Sequence, residues 1–147
     1  MKRLILTAFM CITALGLSRA DEKIITRDVN RLPATSREFI AKHLPDSPVS
    51  HIKIEKGWFG IKEYEVILTN GVEIKFDGDG RWEEVEGHRN ALATTFIPDF
   101  IVSYIRQYYP EASVFSVEKD RNRYEVKLSN RLELKFDNKG NLIDIDR

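Results

Sequence analysis

The strongest constraint on the fold is a stretch that occurs twice. Residues 64–80 read YEVILTNGVEIKFDGDG and residues 124–140 read YEVKLSNRLELKFDNKG, so Tyr, Glu, Val, Leu, Asn, Glu, Lys, Phe, Asp and Gly recur in one register. Self-similarity at a fixed offset marks a duplicated structural unit. Within each copy the apolar residues alternate with charged ones: Tyr64, Val66 and Leu68, then Val72, Ile74 and Phe76, are answered by Tyr124, Val126 and Leu128, then Leu132, Leu134 and Phe136. A period of two is that of a strand with one buried face. A register slip of one residue would expose the whole apolar set, so the alternation also specifies the pairing. Asn70 and Gly71 between the first two strands suit a type I′ hairpin turn. The repeat describes a scaffold and contains no recognisable catalytic apparatus.

The chain divides around these copies. Lys2 and Arg3 precede an apolar run from Leu4 to Leu17, and Ser18, Arg19 and Ala20 place small residues where a signal peptidase reads. Residues 1–20 are therefore expected to be a secretory signal peptide cleaved near Ala20, the run being shorter than the roughly 20 residues of a membrane-spanning helix. Cys11, the only cysteine, lies inside it, and Met10 is a poor match to a lipoprotein signal. Cleavage leaves 20 basic and 23 acidic residues and no cysteine. An exported domain without disulfides must be held by its own core, which a chain of this length can build. The absence of a long basic block argues against a nucleic-acid partner, and no membrane insertion is expected after cleavage. Residues 21–31 read as a polar lead-in, 32–86 as repeat 1, 87–95 as a linker and 96–147 as repeat 2, both repeats sharing one compact domain.

Each repeat opens with a proline that a first helical turn tolerates. After Pro33, residues 34–44 place Phe39, Ile40, His43 and Leu44 on one face before Pro45; after Pro98, residues 99–109 place Ile101, Tyr104, Ile105 and Tyr108 likewise before Pro110. Strands follow: 49–55, with Ile52 and Ile54 on one side; 61–69; the return strand with Val72, Ile74 and Phe76; and 81–86, with Trp82 and Val85. In the second repeat they are 114–119, with Phe115 and Val117 on one face, the two repeated strands, and a last strand with Leu142, Ile143 and Ile145. The expected fold class is α+β: two tandem repeats of one helix plus a four-stranded antiparallel meander. Because one helix on a short sheet is thin, the two copies are expected to join edges in a two-layer structure with both helices on one face.

The opposite face is then open. Its outward residues, Glu63, Glu65, Glu73, Lys75, Glu125, Lys127, Glu133 and Lys135, alternate in sign. They make either a solvated charged face with cross-strand pairing of a few tenths to about 1 kcal/mol each or a recognition surface. The copies differ most at residues 56–60, KGWFG, where repeat 1 has five extra residues. Trp58 and Phe59 at this loop are either folded back over the core or exposed for binding.

Tandem helix-then-meander units, proline-initiated helices ending in Leu44-Pro45 or Tyr109-Pro110, the YEV strand, and the KFDxxG turn followed by Trp82 or Leu142 resemble the PepSY-like, beta-lactamase-inhibitor-like family over residues 32–146. The resemblance implies a fold like that of the beta-lactamase inhibitor protein, a periplasmic or secreted location in a Gram-negative type of cell, and a non-catalytic binding or inhibitory role. No enzyme activity is expected. Beyond residue 20 there is no cysteine nucleophile, GxSxG, HExxH or glycine-rich phosphate loop, and His43, His51 and His88 share no ligand spacing. No cofactor is expected. The expected partner is another envelope or extracellular protein, met by the outward residues above with Trp58, Phe59 and Trp82. Two alternatives stay open: calcium held at Asp77 and Asp79 and at Asp137, Asn138 and Asn141, which fall short of a full calcium-loop pattern, or a structural, envelope-homeostasis role with no specific ligand.

Overall fold

The computed structural model describes residues 21–147, so the expected signal peptide and Cys11 lie outside the described residues. Nine strands follow one another across a single antiparallel sheet in chain order. They are β1 (Glu22–Thr26), β2 (Val49–Gly57), β3 (Gly60–Leu68), β4 (Glu73–Asp77), β5 (Trp82–Glu86), β6 (Val114–Lys119), β7 (Arg123–Leu128), β8 (Glu133–Asp137) and β9 (Leu142–Asp146). Helix α1 (Ala34–His43) lies in sequence between β1 and β2, and α2 (Asp99–Tyr108) between β5 and β6.

This corrects the expected fold class. The α+β arrangement of two tandem repeats, each one helix plus a four-stranded meander, gives way to one nine-stranded sheet, mostly β, carrying two helices. The physical reason is backbone pairing. An open strand edge presents unpaired N–H and C=O groups, and β6 takes the edge of β5 through Glu84↔Glu118, Val85↔Val117 and Glu86↔Ser116. At the other end β1 takes the outer edge of β2, with Ile24 opposite Ile54 and Thr26 opposite Ile52. The residues expected to be a lead-in thus supply a strand, and a short 3-10 turn at Val29–Arg31 leads on to α1.

One row of side chains shows how the sheet buries its inner face. Ile52, Val66, Ile74, Val85, Val117, Val126 and Leu134 lie opposite one another in successive strands, and all are fully buried. Both helices cover this face: Phe39 of α1 meets Phe76 edge-on at 5.8 Å, and Tyr104 of α2 meets Phe136 at 5.4 Å. The helices are seated differently. α2 buries Ile101 and Ile105, whereas α1 fully buries only Ser36, whose hydroxyl donates to the Gly80 carbonyl at 2.9 Å.

Local chemistry differs from expectation at three points. The turn after β3 is a three-residue loop, with Gly71 N–H bonded to Leu68 C=O and Leu68 N–H to Val72 C=O. Only Gly71 has positive φ, +90°, as a type I turn closed by a left-handed residue requires, where type I′ would need positive φ at two residues. In the second copy Arg131 holds the same place at φ +71°. The pairing of β4 with β5 shifts register between Lys75 and Phe76, and this bulge lets Trp82 and Val85, three apart, both face the helices. A shift between Val114 and Ser116 likewise buries Val114 and Val117 and leaves Phe115 only half-buried, against the expected Phe115 and Val117 pair.

Candidate functional site

The side of the sheet away from the helices carries its charges in rows. The central row crosses all nine strands: Ile25, Lys53, Glu65, Lys75, Glu84, Glu118, Glu125, Lys135 and Asp144, each opposite the next. Where signs alternate the groups pair closely, Lys53 with Glu65 at 2.7 Å and Lys75 with Glu84 at 2.6 Å. Lys135 turns to Asp146 at 2.6 Å. These pairs are partly exposed, so each contributes little to stability. Their hydrogen bonds nonetheless raise the Lys53, Lys75 and Lys135 ammonium groups above their ordinary pKa.

The alternation fails where the halves meet. Glu84, Glu118 and Glu125 lie consecutively across β5, β6 and β7, and like charges directly opposite destabilise a sheet. Burial, then the charges of Glu84 and Glu125, push the Glu118 carboxyl above the usual carboxylate range. A second row runs His51, Ile67, Glu73, Glu86, Ser116, Lys127, Glu133 and Asp146. Glu63 stands apart, opposite Glu55 on β2 and Asp77 on β4.

The structure therefore brings Glu65, Lys75, Glu125 and Lys135 into one row and Glu73, Lys127 and Glu133 into the next. Glu84 and Glu118 join the central row although sequence reasoning missed them. Their outward parity was legible in β5 and β6 separately, but no hairpin turn sets the register between those strands. Trp82 lies elsewhere, on the helix-covered side. It stacks on Phe39 at 5.8 Å, meets Phe96 edge-on at 5.3 Å, and carries the Lys119 ammonium 4.2 Å above its ring.

Trp58 and Phe59 form the tip of the β2–β3 hairpin. Gly57 pairs with Gly60, whose φ of +115° closes the turn, and the tip carries both aromatics away from the core. Trp58 is 75% exposed and Phe59 fully exposed. Of the two arrangements the sequence allows, the loop adopts the exposed one. The hairpin is longer than its counterpart, β6–β7, which turns at residues 120–122. The start of β1 lies beside it, with Glu22 opposite Lys56 and Asp21 3.9 Å from Lys62.

The two acidic turns are occupied by their own backbone. Asp77 Oδ1 accepts from the N–H of Asp79 and of Arg81, each at 2.9 Å. Asp137 Oδ1 accepts from the N–H of Lys139 and Asn141, and its Oδ2 from the Asn141 side chain, which together hold its carboxyl below the ordinary range. Among the described residues no group of three or more His, Cys, Asp and Glu is placed to hold a metal ion. His43 bonds Thr95 at 2.8 Å and packs on Phe39 and Phe96, with burial and then Lys42 lowering its pKa.

Comparison with known proteins gives this geometry its relatives. The sequence pattern of the family described as "Putative beta-lactamase-inhibitor-like, PepSY-like" matches residues 62–144. Three solved structures from Bacteroides superpose over most of the chain. A "putative periplasmic protein" of the DUF2874 family from Bacteroides vulgatus is 43% identical, with a TM-score of 0.80, covering 87% of this chain and 99% of its own. A "putative calcium-regulated periplasmic protein" from Bacteroides thetaiotaomicron is 44% identical, with a TM-score of 0.78, covering 86% and 97%. A "putative periplasmic protein of unknown function" from Bacteroides vulgatus is 36% identical, with a TM-score of 0.79, covering 86% and 100%. No curated protein matches the chain. A matching pattern over more than half the sequence, together with these identities over nearly whole chains, places the protein in the PepSY-like, beta-lactamase-inhibitor-like family.

Proposed function

We propose that the protein is an exported, non-catalytic binding or inhibitor-like module that grips another envelope protein with its open sheet face and the Trp58-Phe59 hairpin. The observation that carries this reading is the hairpin tip. Two adjacent aromatics, one of them fully exposed, sit on a pair of glycines beyond the end of a charged sheet face. Aromatic side chains dominate protein interfaces, where one well-placed residue contributes about 2 kcal/mol or more. The rows of Glu and Lys supply a polar surround that favours one orientation of a partner. Export is supported by the amino-terminal sequence and by the periplasmic descriptions of the relatives.

Affinity capture from the native envelope tests the reading. The mature protein should recover a specific partner, and Trp58→Ala with Phe59→Ala should weaken recovery without unfolding the chain. Undiminished recovery by the double variant would remove the hairpin from the surface. Recovery of no specific partner by the wild type would favour a structural role.

Calcium is the second reading, favoured by the description of the Bacteroides thetaiotaomicron relative as calcium-regulated. Its candidate ligands would be the Asp77 and Asp137 turns, whose Oδ1 atoms already cap backbone N–H groups.

A further inference from the structure

A groove of about 240 Å³ opens on the helix side, between α1 and the beginning of β2. Leu32, Ile40, Leu44, Pro48 and Val49 give it apolar walls, and Arg37 stands at its rim. It lies where α1 buries less than its counterpart: the helix fully buries only Ser36, where α2 buries two isoleucines. Ile40, Leu44 and Val49 are partly buried against the core along the gap. The polar lining atoms do not need the groove, since Ser47 Oγ is engaged with Thr69 Oγ1 at 3.0 Å and the Asn70 N–H at 3.1 Å.

Arg37 is exposed and forms no ion pair among the described residues. In the second half the matching helical position is Val102, an apolar residue packed against the core. The matching groove there is of similar size and more polar, with Thr94, Arg106 and Ser113 in its walls beside Leu92, Val102 and Ile105. The first groove thus combines an open apolar trough with a guanidinium at its edge, which suits an apolar chain ending in one carboxylate.

We propose that this groove binds a medium-chain alkyl carboxylate, its chain lying over Leu32, Ile40, Leu44 and Val49 and its carboxylate held by Arg37. A guanidinium holds a carboxylate by two parallel charge-assisted hydrogen bonds, and the trough removes the chain from water. The site is separate from the open sheet face and stands or falls independently of it.

The test uses octanoate as probe, with octanol as a neutral match, followed by amide chemical shifts of the mature protein. Octanoate should give saturable shifts at Leu32, Ile40, Ala41 and Val49, and should bind more tightly than octanol. Arg37→Gln should weaken octanoate about tenfold, the loss of a charged hydrogen-bond partner, and leave octanol unchanged. Ala41→Trp, an exposed position on the groove wall, should fill the trough and abolish both. Both variants change exposed helical residues, so unaltered spectra elsewhere would certify the fold. Equal binding of octanol and octanoate to the wild type, octanoate affinity unchanged in Arg37→Gln, shifts confined to another surface, or no saturable shift at millimolar octanoate would each overturn the proposal.

Discussion

Replacing Gly80 with alanine should destabilise the protein much more than replacing Gly140, although the two glycines close equivalent turns of the repeated sequence. Both have positive φ, +85° and +94°. An L-residue there costs about 1–2 kcal/mol, partly offset by the lower entropy of the unfolded chain, about 0.4–1 kcal/mol. Their surroundings differ. A methyl group on Gly140 would meet the Phe100 side chain at 3.3–3.6 Å, a contact relieved by a small shift. On Gly80 it would lie 2.5 Å from Pro33 Cβ, 2.8 Å from Ser36 Oγ and 2.9 Å from Pro33 Cγ. Pro33 is a rigid ring at the start of α1, so the helix itself must move, at an overpacking cost of about 1–3 kcal/mol. Moving it stretches the bond from the buried Ser36 hydroxyl to Gly80 C=O, worth about 1 kcal/mol. The expected losses are about 1 kcal/mol for Gly140→Ala and about 3–5 kcal/mol for Gly80→Ala. Urea unfolding of the three proteins, with the slope held in common, measures both. Equal losses in the two variants would refute the described seating of α1 on the Gly80 turn.

Three further outcomes are expected. Trp82→Ala should destabilise by about 2–4 kcal/mol, because the ring lies among Phe39, Phe96 and Lys119, whereas Trp58→Ala with Phe59→Ala should stay within about 0.5 kcal/mol in the same denaturant assay. Glu118→Gln should raise the melting temperature at neutral pH. The folded-state pKa of this carboxyl is raised, so its ionisation penalty is present above the folded pKa and vanishes as pH falls through it towards the unfolded value; the advantage of glutamine should vanish in the same direction. Calcium at millimolar concentration should leave the melting temperature unchanged, since a ligand bound only by the native state would raise it progressively.

The parts of the fold legible in the sequence were those set by local alternation. Tyr64, Val66 and Leu68 and their partners Val72, Ile74 and Phe76 can be buried together in only one register, and the chain adopts it. Longer-range choices left no local mark. Residues 22–26 form a strand because β2 offers a free edge, and the β5–β6 junction joins the sheet without a hairpin to announce it. β1, which neither meander was expected to contain, and the pairing of β5 with β6 make one nine-stranded sheet of what the sequence read as two four-stranded meanders. The site divides the same way. Outward parity placed Glu65, Lys75, Glu125 and Lys135 on the open face, but a bulge turned Trp82 towards the helices, and no hairpin turn announced the register that puts Glu84 opposite Glu118. Exposure of Trp58 and Phe59 goes with the tight turn that pairs Gly57 with Gly60 at the hairpin tip, which the sequence allowed without deciding.

The central claim is that a partner covers the open sheet face and the hairpin tip. Side-chain footprinting of the captured complex tests it most directly, with oxidation reporting on Trp58 and carbodiimide labelling on the carboxylates. The account predicts that complex formation protects Trp58 together with Glu63, Glu65, Glu73, Glu125 and Glu133, while Glu38 and Asp99 on the two helices keep their free-state reactivity. Protection confined to the helix side, with Trp58 and the sheet carboxylates reacting as in the free protein, would contradict it.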